Sequence, residues 1–142
     1  MRPTRILLAD DHPLIVEGFR NLLESQYEIV GAVTDGKALL EQAANLKPDL
    51  ILLDITLPQL NGIDAARRIR KILPHTKLLF VTMHVNPAYL NEGLNAGGTG
   101  YVLKSSAREE ILEAIETVLL GQVYITPSLV AKGFKAASRP VQ

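Results

Sequence analysis

Two rhythms of apolar and polar positions alternate along this chain. Short continuous apolar runs read as strands, and apolar positions three and four apart read as helices. Residues 5–9 form the first such run. Asp11-His12-Pro13 follows as a helix start with proline in the first turn, and Ile15, Phe19, Leu22 and Leu23 then recur at helical spacing. Residues 27–32 predict a second strand. Asp35 stands where it can cap a helix carrying Ala38, Leu39, Ala43 and Leu46, which stops at Lys47-Pro48. Residues 49–53 predict a third strand, and after Asp49 it is the most continuous apolar run, typical of a central strand buried on both faces. Pro58 and Asn61-Gly62 mark a loop before a helix with Ile63, Ala66, Ile69 and Leu73, ended by Pro74. Residues 77–82 predict a fourth strand. A shorter helix over 87–96 closes at Gly97-Gly98, and 100–104 predict a fifth strand. Ser106 with Glu109 predicts a capping box ahead of Ile111, Leu112, Ile115, Val118 and Leu119, and Gly121 closes that helix.

Strict β-α alternation of this kind predicts an α/β fold, a doubly wound five-stranded parallel sheet with right-handed crossovers and helices on both faces. In such sheets ligands bind beyond the carboxyl ends of the strands. That rule gathers Asp10, Asp11, Asp54, Thr82 and Lys104 around one site. Like charges placed so close repel, so the cluster implies a divalent cation and a phosphoryl group. Mg²⁺ takes oxygen ligands and keeps several waters. Asp11 and Asp54 suit direct ligation, Asp10 suits contact through a water, and a carbonyl at Thr56 can add an oxygen. A carboxylate can itself be a phosphoryl nucleophile. Asp54, alone at the end of the most apolar strand, is the candidate. Lys104 suits the phosphoryl oxygens as a mobile point charge, and the Thr82 hydroxyl can donate to the same group. Taken singly, each residue has a plainer role: helix cap, turn former or solvated strand end. The set on four strands does not.

Bulk composition narrows the classes. The chain has 142 residues, 47% apolar and 21% charged, with 15 basic and 15 acidic side chains. These are globular values, and zero formal charge gives no footprint for nucleic acid or an anionic membrane. The absence of cysteine excludes disulfides, thiolate metal sites and a cysteine nucleophile. No apolar stretch approaches membrane-spanning length, and the N-terminus reads directly into a strand rather than a signal peptide. The expectation is a soluble cytoplasmic protein. Gly93 to Gly100 is glycine-rich but follows a helix and precedes a strand, the reverse of a dinucleotide fingerprint. His12, His75 and His84 show no paired metal-ligand spacing and read as surface or loop residues. Arg67, Arg68, Arg70 and Lys71 read as a solvated helix face.

The segments Ile-Leu-Leu-Ala-Asp-Asp-His-Pro, Asp-Leu-Ile-Leu-Leu-Asp-Ile-Thr-Leu-Pro, Thr-Met-His and Gly-Tyr-Val-Leu-Lys stand in one order and spacing. In these the chain resembles the receiver domain of bacterial two-component response regulators, over about residues 5–121. The Asp-Asp-His-Pro start and Thr-Met-His stretch look most like the NarL/FixJ (LuxR-type) branch. The resemblance implies a flavodoxin-like strand order 2-1-3-4-5. It implies that Asp54 accepts phosphate from a sensor histidine kinase, that Asp10 and Asp11 hold Mg²⁺, and that Thr82 and Lys104 read the phosphorylated state. Tyr101 would occupy the aromatic switch position, an ordinary strand aromatic being the equal alternative. Thr56 and His84 would flank the phosphoryl group and tune its removal, and Met83 would narrow access. Ser105 follows Lys104 where many receivers have proline with a cis bond. A cis bond before a non-proline residue costs ~3–4 kcal/mol, so none is expected here.

Residues 1–121 are therefore expected to be the receiver. Residues 122–142 are expected to be an extension toward a helix-turn-helix DNA-binding domain absent from this chain, with a short helix near 128–137. A truncated regulator is favoured over a stand-alone receiver. Phosphorylation is expected to alter homodimerisation, through the fourth-helix/fifth-strand/fifth-helix face or the first and fifth helices. A haloacid-dehalogenase-like phosphohydrolase needs a second acid two residues past its nucleophile, where this chain has Thr56. A flavodoxin-like ligand-binding module would need a phosphate-binding loop where Asp-Asp-His-Pro stands.

Overall fold

The chain runs through β1 (Arg5–Ala9), α1 (Pro13–Leu23), β2 (Glu28–Val33), α2 (Gly36–Leu46), β3 (Leu50–Leu53) and α3 (Gly62–Ile72). It continues through β4 (Lys77–Thr82), α4 (Pro87–Asn95), β5 (Gly100–Leu103), α5 (Ala107–Leu119), β6 (Tyr124–Ile125) and α6 (Pro127–Ala131). These elements come from a computed structural model that describes residues 3–131. The strands form one parallel sheet in the order β2-β1-β3-β4-β5-β6.

Alternation within each strand divides the core in two. Leu7, Ile51, Leu53, Leu78, Phe80 and Tyr101 face one way, packing with Leu39, Ala66, Ile69 and Leu90 of α2, α3 and α4. Ile6, Leu8, Leu50, Leu52, Leu79, Val81 and Val102 face the other way, against Phe19, Leu23, Ile111 and Val118 of α1 and α5. Every residue of β3 is at most 2% exposed, as its unbroken apolar run requires.

The helix ends show why the chain turns where it does. The Asp35 carboxylate accepts from Ala38 N–H at 2.7 Å and caps α2. That helix stops with Lys47 in the left-handed region at φ 47°, just before Pro48. Gly62 begins α3 directly against the backbone of Asp54. A Cβ at Gly62 would collide with the Asp54 carbonyl oxygen, so only glycine allows this approach.

The expected parallel order 2-1-3-4-5 is present, one further strand extends it, and one expected cap is corrected. The sixth strand arises because the chain turns at Gly121 (φ 86°) and then runs parallel to β5 along its outer edge. Tyr124 N–H donates to Thr99 C=O at 3.0 Å and Thr126 N–H to Tyr101 C=O at 2.9 Å. An unpaired β5 edge would leave those carbonyls without partners. The capping box at Ser106 does not form. Lys104–Ser106 make a 3₁₀ turn, and the Ser106 hydroxyl points back at Leu103 C=O, 3.5 Å away. The expected helix near 128–137 is described only as α6, and its remainder lies outside the described residues.

Candidate functional site

Strand register sets the site. Ala9 pairs with Leu53, so Asp10 and Asp54 leave the sheet side by side. Thr82 pairs with Leu103, which puts Lys104 one residue further out. Asp10 and Asp54 are buried, at 4% and 3% exposure. Lys104 Nζ donates to Asp54 Oδ2 at 2.8 Å and contacts Asp10 Oδ2 at 2.9 Å. Asp54 Oδ1 accepts from Thr56 N–H at 3.2 Å, and Asp10 Oδ1 from His12 N–H at 2.9 Å. One ligand atom each from Asp10, Asp11, His12 and Asp54 falls within a 4.8 Å cluster.

Burial alone would pull the Lys104 ammonium below its ordinary pKa of 10.5. Hydrogen bonds and charge from Asp54 and Asp10 outweigh that, and the net shift is upward. Lys104 therefore stays charged, and among the described residues it is the lysine that contacts the cluster of three carboxylates, through Asp10 and Asp54. The surplus negative charge, the oxygen-rich donor set and the partly exposed Asp11 suit a hard cation. Asp10, Asp11 and Asp54 form the acidic cluster typical of a receiver's metal site.

The structure brings Asp10, Asp11, Asp54 and Lys104 together and places the others around them. Thr82 ends β4 fully buried, its hydroxyl accepting from His84 N–H at 3.3 Å. The Thr56 hydroxyl lies 2.8 Å from His84 Nε2, and the His84 ring packs on Tyr89 with centroids 4.2 Å apart. Tyr101 is fully buried, and its hydroxyl donates to His84 C=O at 3.1 Å. Burial first, then the Asp54 charge, push its phenol well above the ordinary pKa of 10.0. Met83 is largely exposed beside the site. No peptide bond among the described residues is cis, the Lys104–Ser105 bond included.

His12 is the residue that sequence reasoning passed over. Its ring Nδ1 lies 2.8 Å from Asp10 Oδ1 and 3.0 Å from Lys104 Nζ. That nitrogen cannot donate to Asp10 and accept from Lys104 at once, so it must choose between them. The available signal was its spacing: an aspartate side chain readily accepts from the N–H two residues on.

Fold and site together define a class: a phosphoacceptor switch built on a parallel α/β sheet, rather than a turnover enzyme. The chain belongs to the response regulator receiver domain family, whose profile matches residues 6–116. It is 38% identical over 130 residues to the transcriptional regulatory protein YxjL of Bacillus subtilis, covering 90% of this chain and 60% of that protein. Among solved structures it resembles a LuxR-family two-component response regulator from Aurantimonas sp. SI85-9A1. The TM-score is 0.86 and the identity 36%, over 92% of this chain and 94% of the other. It also resembles the receiver of RcsB from Salmonella enterica serovar Typhimurium, solved with the phosphomimetic BeF₃⁻. There the TM-score is 0.84 and the identity 27%, covering 92% of this chain and 98% of the other. Its relatives are LuxR/NarL-family regulators, and the chain spans about 60% of the length of the curated ones. Among the described residues no helix is long and apolar enough to cross a membrane.

Proposed function

We propose that Asp54 accepts a phosphoryl group from the phosphohistidine of a sensor histidine kinase and that the chain relays this change to a transcriptional output. The observation that carries the reading is the Lys104–Asp54 contact of 2.8 Å inside the acidic cluster. Asp54 Oδ2 attacks phosphorus, the P–N bond to the donor imidazole breaks, and an acyl phosphate forms on Asp54. Asp10, Asp11, Asp54 and the Thr56 carbonyl would hold Mg²⁺, which supplies positive charge against the phosphoryl oxygens. Lys104 already touches the acceptor oxygen and stays with the group as its charge grows. The Thr82 hydroxyl, which here accepts from His84 N–H, turns to the phosphoryl oxygen, and Tyr101 holds the loop through His84 C=O.

Residues 1–121 serve as the receiver, and the segment after them leads toward a helix-turn-helix DNA-binding domain outside this chain. Phosphorylation changes self-association. Because β6 covers the outer edge of β5, the α1–α5 groove with exposed Leu14 is the favoured face. The cytoplasm, where kinase phosphodonors and Mg²⁺ occur, is the compartment this reading assigns. The test is beryllofluoride titration with and without Mg²⁺, followed by light scattering. Binding that needs both Mg²⁺ and Asp54, with a rise in mass, is expected. Binding unchanged in Asp54→Ala would overturn the assignment.

A further inference from the structure

The last described segment makes more contacts than a tether needs. Thr126 is fully buried. Its hydroxyl accepts from Leu103 N–H at 3.0 Å and donates to Glu110 Oε1 at 3.0 Å. The Tyr124 hydroxyl donates to the same Glu110 oxygen at 3.1 Å. Burial and then Glu110 push the Tyr124 phenol well above its ordinary pKa of 10.0. Leu129, 1% exposed, packs into the core cluster that holds Tyr101. Residues 124–130 are thus fastened to β5 and α5 by backbone pairing, a shared carboxylate and one apolar plug.

The fastening points coincide with the site's own backbone. Leu103, held through its N–H, immediately precedes Lys104. Tyr101, whose carbonyl holds Thr126 N–H, is also the residue whose hydroxyl holds the His84 loop. Without Thr126 the buried Leu103 N–H would lose its acceptor, and β5 would become an edge strand free to shift. Such a shift moves the base from which Lys104 reaches Asp54 and Asp10.

We propose that Thr126 is a positioning residue for Lys104, and that residues 124–130 act as a strap whose docking on β5 is thermodynamically linked to occupation of the Asp54 site. The linkage rests on the phosphoacceptor reading above. Occupation of the site favours a fixed Lys104, and a fixed Lys104 favours the docked strap that holds Leu103 N–H beside it. By reciprocity a docked strap favours occupation by the same factor.

The test is amide hydrogen exchange by NMR on the 142-residue chain, with Mg²⁺ alone and with Mg²⁺ plus beryllofluoride. Exchange at Tyr124 and Thr126 is expected to slow by about fivefold or more on beryllofluoride binding. Thr126→Val keeps the shape but removes the hydroxyl. It is expected to lower beryllofluoride affinity by the same factor, with Thr126→Ser restoring it. The Thr56 amide, bonded to Asp54, reports separately on the site. If Thr56 responds while Tyr124 and Thr126 do not, or if Thr126→Val binds beryllofluoride as the parent does, the strap proposal is wrong. If Thr56 itself does not respond, the phosphoacceptor reading fails first and the linkage fails with it.

Discussion

The two ends of the sheet use similar residue types for opposite ends. At the amino-terminal edge, Arg5 donates from its guanidinium to the carbonyls of Leu46 at 2.6 Å and Lys47 at 3.2 Å. Its N–H donates to Asp49 Oδ2 at 2.8 Å, and Thr76 bonds Pro48 C=O at 2.8 Å. The cation sits at the C-terminus of α2, where the helix dipole favours it. These groups hold the helix to the sheet. At the carboxyl-terminal edge, Lys104 serves Asp10 and Asp54 together, and Asp11 adds a further charge. The first arrangement stabilises the fold as it stands. The second holds more negative charge than it can balance, which is the signature of a site that takes up something positive.

Substitutions should separate the two ends. Lys104→Met removes the cation between two buried carboxylates and is expected to cost the most, about 3 kcal/mol in urea unfolding at neutral pH. Added Mg²⁺ should recover part of that loss; a loss that Mg²⁺ leaves untouched would mean the carboxylates are not a cation site. Arg5→Ala should cost about 1–2 kcal/mol by breaking charge-assisted bonds to α2, with Mg²⁺ affinity unchanged. A matching fall in Mg²⁺ affinity would erase the distinction between the ends. Alkaline titration comes next. Lys104, Tyr101 and Tyr124 all have raised pKa values, so each favours the folded state while protonated. Their contribution is whole below pH 10 and is lost as pH rises through the raised values. Unfolding free energy should therefore fall above pH 10.0, beyond what the same chain shows between neutrality and that point. Asp11→Asn should change stability least, within about 0.5 kcal/mol, because Asp11 is partly exposed. It should still weaken Mg²⁺ binding by at least about tenfold, measured by calorimetry.

Much of this contrast is readable in the chain before any coordinates. The run Leu50–Leu53 can only be a buried central strand, and its last neighbour, Asp54, follows from that. The Asp35 cap and the stop at Lys47 come from local chemistry that acts over a few residues. What sequence missed depends on contacts made at long range. Strand β6 is two residues long, too short for a period, and forms only because β5 offers an open edge. Ser106 loses its cap role because the 3₁₀ turn at Lys104–Ser106 directs its hydroxyl backward. Glu110, not Glu109, is then the acid that matters, through partners at Tyr124 and Thr126. His12 looked like a loop residue; its contact with Asp10 is local, but its approach to Lys104 joins residues 92 positions apart and depends on the strand order.

The central claim is that the surplus charge at the carboxyl-terminal edge exists to modify Asp54. The most direct test is incubation with acetyl phosphate and Mg²⁺, followed by peptide mass mapping and hydroxylamine treatment. The account predicts a single hydroxylamine-labile phosphoryl group on Asp54 that needs Mg²⁺ and disappears in Asp54→Ala. Folded protein that takes up no phosphoryl group, or takes it up on another residue, would contradict it.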